Sequence, residues 1–201
     1  MLTFDEATHT YRWNGVRVPS VTQIMAPLHD WSRVPPAVLR AAQERGTYVH
    51  KLTEAYDLGL LDEAAMLADP QHARFHGYLR AWKAFLQDHD PRWFAIEQPM
   101  YSARLKYAGT PDRRGSLHGS MPGVWTIDIK TATDAHEPWG VQTAAYRSMF
   151  AEQDPEAALD RRGTVQLAAD GSYELLPWTS PDDWSCFTGL LAVHQWQEAR
   201  R

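Results

Sequence analysis

The segment from Gly109 to Lys130 constrains this 201-residue chain more than any other part of it. Gly109-Thr110-Pro111-Asp112 leads into a run of turn formers, Gly115-Ser116-Leu117-His118-Gly119-Ser120-Met121-Pro122-Gly123, and strand-like residues resume at Val124-Trp125-Thr126-Ile127. The pattern predicts a β-hairpin with its tip near Ser120. Asp112 and Asp128 each lie eight residues from that point, so antiparallel pairing sets them opposite one another, with Cβ atoms about 5 Å apart. Lys130 is two residues beyond Asp128 and projects from the same face. Ile127 and Ile129 flank Asp128, and alternation puts the two isoleucines on one buried face, which argues against a merely solvated carboxylate pair. Two carboxylates held that close repel unless a cation lies between them, and hard divalent cations prefer oxygen ligands. A magnesium or manganese site with an ammonium group beside it is the expectation.

Local patterns predict the elements around this hairpin. Asn14-Gly15 between Thr10–Trp13 and Val16–Val18 is a strong hairpin signal. Ser20 is placed to cap a short helix from Val21. Pro35-Pro36 opens a helix with Val38, Leu39 and Ala42 on one face. Gly46 is expected to interrupt that helix, with a second helical piece running to Gly59. Phe75, Tyr78, Leu79, Trp82, Phe85 and Leu86 form an amphipathic stripe. Strand character follows from Trp93 to Tyr101, then the hairpin, then a helix from Glu137-Pro138. Two strands, 163–168 and 173–176, flank the turn Ala169-Asp170-Gly171-Ser172, and a last helix begins near Ser180 with Trp184, Phe187, Leu191 and His194 inward. The order predicts one α/β domain over residues 1–201, with an N-terminal hairpin and helical region, about residues 1–90, ahead of the sheet.

Composition narrows the chemistry. Hydrophobic residues make up 44% and there are nine tryptophans, enough for a sizeable core. The one cysteine, Cys186, excludes a disulfide framework, a cysteine-ligated zinc site and a four-cysteine iron–sulfur cluster within the chain. Lying between Trp184 and Phe187, Cys186 is expected to be a buried thiol. No apolar run approaches the ~18 residues of a membrane span and no signal segment opens the chain, so a soluble, cytoplasmic protein with no membrane partner is expected. The net charge of −5 argues mildly against a nucleic-acid partner, but local charge points the other way. Arg33, Arg40, Arg45 and Lys51 gather around one segment, and Arg104, Lys106, Arg113 and Arg114 surround the hairpin.

Further polar positions accompany the triad. Gly46-Thr47-Tyr48-Val49-His50 ends in a histidine, and Glu54 follows four residues later on the same helix face. Glu97 sits in Ala95-Ile96-Glu97-Gln98-Pro99, and Gln142 and Tyr146 are four apart on an otherwise apolar stripe. Gly-Thr-x-x-His, Glu97, Gly-Thr-Pro-Asp, Asp-x-Lys and Gln-x-x-x-Tyr stand in an order that resembles the PD-(D/E)XK nucleases, in the branch of RecB nuclease domains, CRISPR-adaptation nucleases and phage recombination exonucleases. The matched motifs run from Gly46 to Tyr146, about half the chain. Position 128 is Asp where many members have Glu, and the cysteine quartet of the iron–sulfur members is missing.

The resemblance implies a restriction-endonuclease-like core, a central mixed β-sheet flanked by helices. It also implies a metal-dependent deoxyribonuclease, an exonuclease of phage recombination or DNA repair, using Mg2+ or Mn2+. Asp112, Asp128, the Ile129 carbonyl and His50 would hold the metal, with Asp112, Asp128, Lys130 and Glu97 as the catalytic set, Glu97 approaching the metal centre or holding an inner-shell water. Lys130 would orient the attacking water and stabilise developing charge. Gln142 and Tyr146 would contact the DNA backbone or support the site, with Arg113 and Thr131 as further substrate-binding residues. DNA is the implied partner; with no helicase motif present, the chain would act alone, form an oligomer, or join a helicase or single-strand annealing protein. An endonuclease or structure-specific nuclease on the same core, or a non-catalytic DNA-binding or assembly module, is the competing expectation.

Overall fold

A computed structural model describes residues 1–6 and 8–200. The chain begins with three short antiparallel strands, β1 (Leu2–Asp5), β2 (Thr10–Trp13) and β3 (Val16–Val18), in the order β1-β2-β3. Asn14 and Gly15 take positive φ at the β2–β3 turn, as an Asn-Gly hairpin requires; β1 adds a strand to the expected hairpin. Helix α1 (Val21–Ile24) starts at Ser20 with a capping box, in which Ser20 Oγ accepts from Gln23 N and Gln23 Oε1 accepts from Ser20 N. A 3-10 turn (Ala26–Leu28) and a loop lead to α2 (Pro36–Asp57), then α3 (Glu63–Ala68), a second 3-10 turn (Pro70–Phe75) and α4 (His76–His89).

The remaining elements are β4 (Arg92–Ile96), β5 (Met100–Ser102), β6 (Tyr107–Gly109), β7 (Arg113–Leu117), β8 (Gly123–Lys130), α5 (Pro138–Gln153), a 3-10 turn (Pro155–Leu159), β9 (Arg161–Leu167), β10 (Tyr173–Pro177) and α6 (Asp182–Glu198). A five-stranded mixed sheet runs β10-β9-β8-β7-β4, with β8 and β9 parallel and the other pairs antiparallel. The parallel step needs a crossover, which α5 supplies. The fold is α/β, a mixed sheet flanked by helices.

The β7–β8 register runs from Arg113↔Ile127 to Leu117↔Gly123, so it centres on Ser120, and its continuation sets Asp112 opposite Asp128. Alternation along β8 then sorts its side chains. Trp125, Ile127 and Ile129 join Val49, Leu52, Trp82 and Phe85 in a core beneath α2 and α4. Thr126 and Asp128, also fully buried, turn to the other face. There α5 contributes Val141, Ala145, Tyr146 and Met149 to a second core with α1 and Phe187 and Leu191 of α6. Burial on both faces is what a central strand beside a parallel neighbour should show.

Three expectations need correction. Gly46 does not interrupt the helix; α2 runs unbroken through it for 22 residues. A mid-helix glycine costs about 1 kcal/mol, which good helix formers on both sides absorb. Along this helix Val38 is exposed, and the buried residues, Val49, Leu52 and Thr53, lie in its second half. The strand expected over 93–101 is two strands in different sheets, β4 and β5, broken at Glu97 (φ +42°). Cys186 is exposed, not buried: Phe187 points inward, and one helical residue turns its neighbour about 100° away.

Candidate metal centre

The site forms where α2, the β4–β5 corner and the open ends of β7 and β8 meet. The second half of α2 carries His50, Thr53 and Asp57 at helical spacing on one inward face. His50 Nε2 lies 3.0 Å from the Ile129 carbonyl oxygen, and its Nδ1 lies 3.2 Å from Glu97 Oε1 and 3.4 Å from Asp112 Oδ1. Glu97 reaches inward from its left-handed corner, which its backbone N–H fastens by donating to the Asp112 carbonyl at 2.8 Å. The Asp112 carboxylate accepts from Ile129 N–H at 2.6 Å across the strands. One ligand atom each from His50, Glu97 and Asp112 fall within 4.8 Å of one another. This cluster can hold a metal ion.

Gly109 of the Gly-Thr-Pro-Asp segment has a packing reason to be glycine. A Cβ there would stand 2.9 Å from the Tyr146 ring and 3.1 Å from Val21, so the absent side chain lets α5 close onto the strand. Tyr146 then meets Gln142, whose Nε2 donates to its hydroxyl at 2.9 Å. Burial, with Asp128 and Asp112 nearby, pushes the Tyr146 phenol well above its ordinary range, so it stays neutral.

Asp128 lies beside the three-ligand cluster. It is fully buried, with Oδ2 2.6 Å from Lys130 Nζ, and neither carboxylate oxygen has an aligned hydrogen-bond partner among the described residues. Burial pushes its carboxyl up to about 6, with Asp112 adding to the effect and Lys130 opposing it. Asp112 moves the other way: burial is outweighed by His50, Lys130 and the Ile129 N–H, so its carboxyl is lowered. Burial and the Asp112 charge raise Glu97. For His50, burial opposes charge, but Asp112 and Glu97 overcome it and raise the imidazole well above its usual value. Lys130, likewise opposed by burial, is held as an ammonium by Asp128 and Asp112.

The residues expected from sequence are partly regrouped. Glu97, expected to approach the metal centre or hold an inner-shell water, stands among the candidate ligands with His50 and Asp112, whereas Asp128, expected as a principal ligand, lies against Lys130. The Ile129 carbonyl faces the same imidazole. Arg113 is not available to substrate: it is fully buried, with Nε on Asp57 Oδ2 (2.8 Å), Nη1 on the Asp112 carbonyl (2.7 Å) and Glu97 Oε1 (3.2 Å), and Nη2 on Thr53 Oγ1 (3.2 Å). Strand alternation turns it away from the face of Asp112. Thr131 accepts from Arg45 Nε at 3.3 Å, joining the basic side of α2 to the end of β8. Glu54, one turn from His50, is not in the cluster.

Two contributors had no local signal. Asp57 braces Arg113 and also takes the Trp82 indole N–H at 2.9 Å. Tyr11, from the N-terminal sheet, bonds Thr110 Oγ1 at 2.7 Å; burial above all, with Glu97 and Asp112 nearby, pushes its phenol up to about 12.

No protein-family profile and no curated protein sequence matches this chain. In three dimensions it is similar to the crystal structure of a provisionally named exonuclease from Eubacterium rectale, at TM-score 0.48 and 10% identity. The superposition covers 78% of this chain and 66% of that one, so the chain spans just under two thirds of that protein's length. No helix among the described residues is long and apolar enough to cross a membrane.

Proposed function

We propose that this chain is a divalent-metal-dependent deoxyribonuclease of the PD-(D/E)XK type, an exonuclease acting in phage recombination or DNA repair with Mg2+ or Mn2+. The observation that carries the reading is the convergence of His50, Glu97 and Asp112 within 4.8 Å beside the buried, hydrogen-bond-deficient Asp128 and its Lys130 partner. The donor set fits a hard cation: three carboxylates, a carbonyl and one imidazole that must give up its proton to bind. His50, Glu97 and Asp112, with Asp128 and the Ile129 carbonyl, would hold it. When bound, such an ion acidifies water and relieves charge on a phosphate.

The chain's own groups do the rest. Lys130 stays protonated, so its role is to hold a phosphate oxygen or the attacking water as a donor; it is not a general base. Gln142 keeps the neutral Tyr146 hydroxyl directed at the same face, where it can donate to a backbone phosphate. Arg113, Asp57 and Thr53 bind no substrate and instead hold Glu97 and α2 in place. DNA is the proposed substrate, with a helicase, an annealing protein or further copies of the chain as proposed partners.

End-labelled linear and closed-circular DNA, incubated with magnesium, manganese or chelator, tests the reading. The linear substrate should be degraded in manganese and the circle spared, and Asp112→Ala should fall to the chelator background. Full manganese-dependent degradation by Asp112→Ala would sink the catalytic assignment, and a cleaved circle would make the enzyme an endonuclease.

A further inference from the structure

The chain between α1 and α2 carries an aromatic pair that the metal cluster does not use. The start of this segment is pinned on the site's own side. Val21 and Ile24 are buried in the core that contains Tyr146 and Met149, and Leu28 packs against that core. Val21 lies directly against Gly109, the glycine under the Tyr146 ring. His29 and Trp31 then stack, with ring centroids 5.3 Å apart and planes 13° from parallel. Behind them Ser32 N–H donates to Asp30 Oδ1 at 2.9 Å and Val34 N–H to the Trp31 carbonyl at 3.0 Å, which shapes the loop. Trp31 is nevertheless 48% exposed.

The pinned start of the segment places the pair on the side of Tyr146, and the charges that reach His29 agree with it. Burial first, then the positive fields of His136 and Lys130, hold its imidazole below the usual value. The Lys130 ammonium and His136, just ahead of α5, are thus its charged neighbours. The loop itself is a poor phosphate site, because Asp30 and Arg33 offset one another and His29 is held toward its neutral form. What it presents instead is the half-exposed aromatic surface of Trp31, stacked on His29. Bases inside a duplex are covered on both sides, whereas a base at a frayed end or in a single strand has a free face to stack.

Building on the nuclease reading above, we propose that Trp31, backed by His29, is a nucleobase-stacking subsite for an unpaired base on the strand whose phosphate reaches Lys130. The preferred substrate class is then single-stranded or end-frayed nucleic acid rather than intact duplex.

Binding without turnover tests this. The full chain in chelator is titrated against a fluorescein-labelled single-stranded oligothymidylate of about 20 nucleotides and against a blunt duplex of equal length. Trp31→Ala should weaken single-strand binding about tenfold or more, Trp31→Phe should stay within about threefold of wild type, and duplex binding should change less than about twofold. An abasic nucleotide moved along the strand should, at one position, cost wild type as much as Trp31→Ala does and cost that variant nothing further, the mark of a single shared contact. Equal single-strand binding by wild type and Trp31→Ala overturns the subsite, as does an equal loss on duplex. If Asp112→Ala still degrades DNA while the Trp31 dependence holds, the catalytic assignment falls and the subsite stands. If wild type binds no nucleic acid, both fall.

Discussion

Asp112 and Arg113 are consecutive residues, yet the buried charges around them are completed to very different degrees. Arg113 is saturated. Its guanidinium meets Asp57, Glu97, the Asp112 carbonyl and Thr53, and lies 5.4 Å from the Trp82 ring centre, while the second Asp57 oxygen takes the Trp82 indole. On the other side, Asp128 is as deeply buried but has only an ion-pair contact with Lys130 and no aligned hydrogen bond. Burial of charge is common to both, so burial does not identify a functional group here. Unused lone pairs are what separates the two, because a buried acceptor without an aligned donor costs free energy that folding alone does not recover.

Removing a partner from the saturated cluster should have the largest effect. Asp57→Ala leaves Arg113 buried without its main counter-ion and should cost about 3–5 kcal/mol in urea unfolding. A cost below about 1 kcal/mol would mean that Glu97 takes over the guanidinium, and the two clusters would then be one.

Asp128→Asn should act in the opposite direction. The folded protein holds the Asp128 proton more tightly than the unfolded chain does, since the carboxyl rises from 3.8 to about 6. The resulting penalty is absent below about pH 4, grows as pH rises, and is complete above about pH 6. In chelator at pH 8, Asp128→Asn should therefore stabilise the protein by about 1–3 kcal/mol while abolishing cleavage, and the gain should vanish near pH 4. Destabilisation at pH 8 would show that the Lys130 contact outweighs burial and that Asp128 is as complete as Arg113.

Thr53→Val should give the smallest change. It removes one of several bonds to Arg113 and the bond from Thr53 Oγ1 to the His50 carbonyl at 3.0 Å, for a loss of about 1–2 kcal/mol with an unchanged denaturant slope. A much larger loss would reveal that the saturated cluster has no redundancy.

What could be read in the residues was local. The Ser120-centred register follows from turn formers between alternating segments, and the Ser20 cap, the α4 stripe and the β9–β10 turn follow from neighbours within a few positions. What escaped reading is set by partners far along the chain. Arg113 looked like a substrate contact because it adjoins Asp112, while its counter-ion Asp57 is 56 residues away. Glu97 looked like mid-strand because its composition is strand-like; its left-handed backbone depends on the Asp112 carbonyl. Tyr11 gave no sign of lying near the carboxylates, since the contact runs through Thr110, 99 residues on. Cys186 has aromatic neighbours in sequence, but the helical period turns it to the surface while Phe187 is buried.

The corner at Glu97 has a mechanical consequence. A non-glycine residue in the left-handed region stays there only when its surroundings hold it. At this one residue the main chain leaves the five-stranded sheet and turns toward β5 and β6, which touch the N-terminal strands through Ala108 and Pro19. The residue whose carboxylate stands in the cluster is therefore also, through its backbone, the joint between the two sheets.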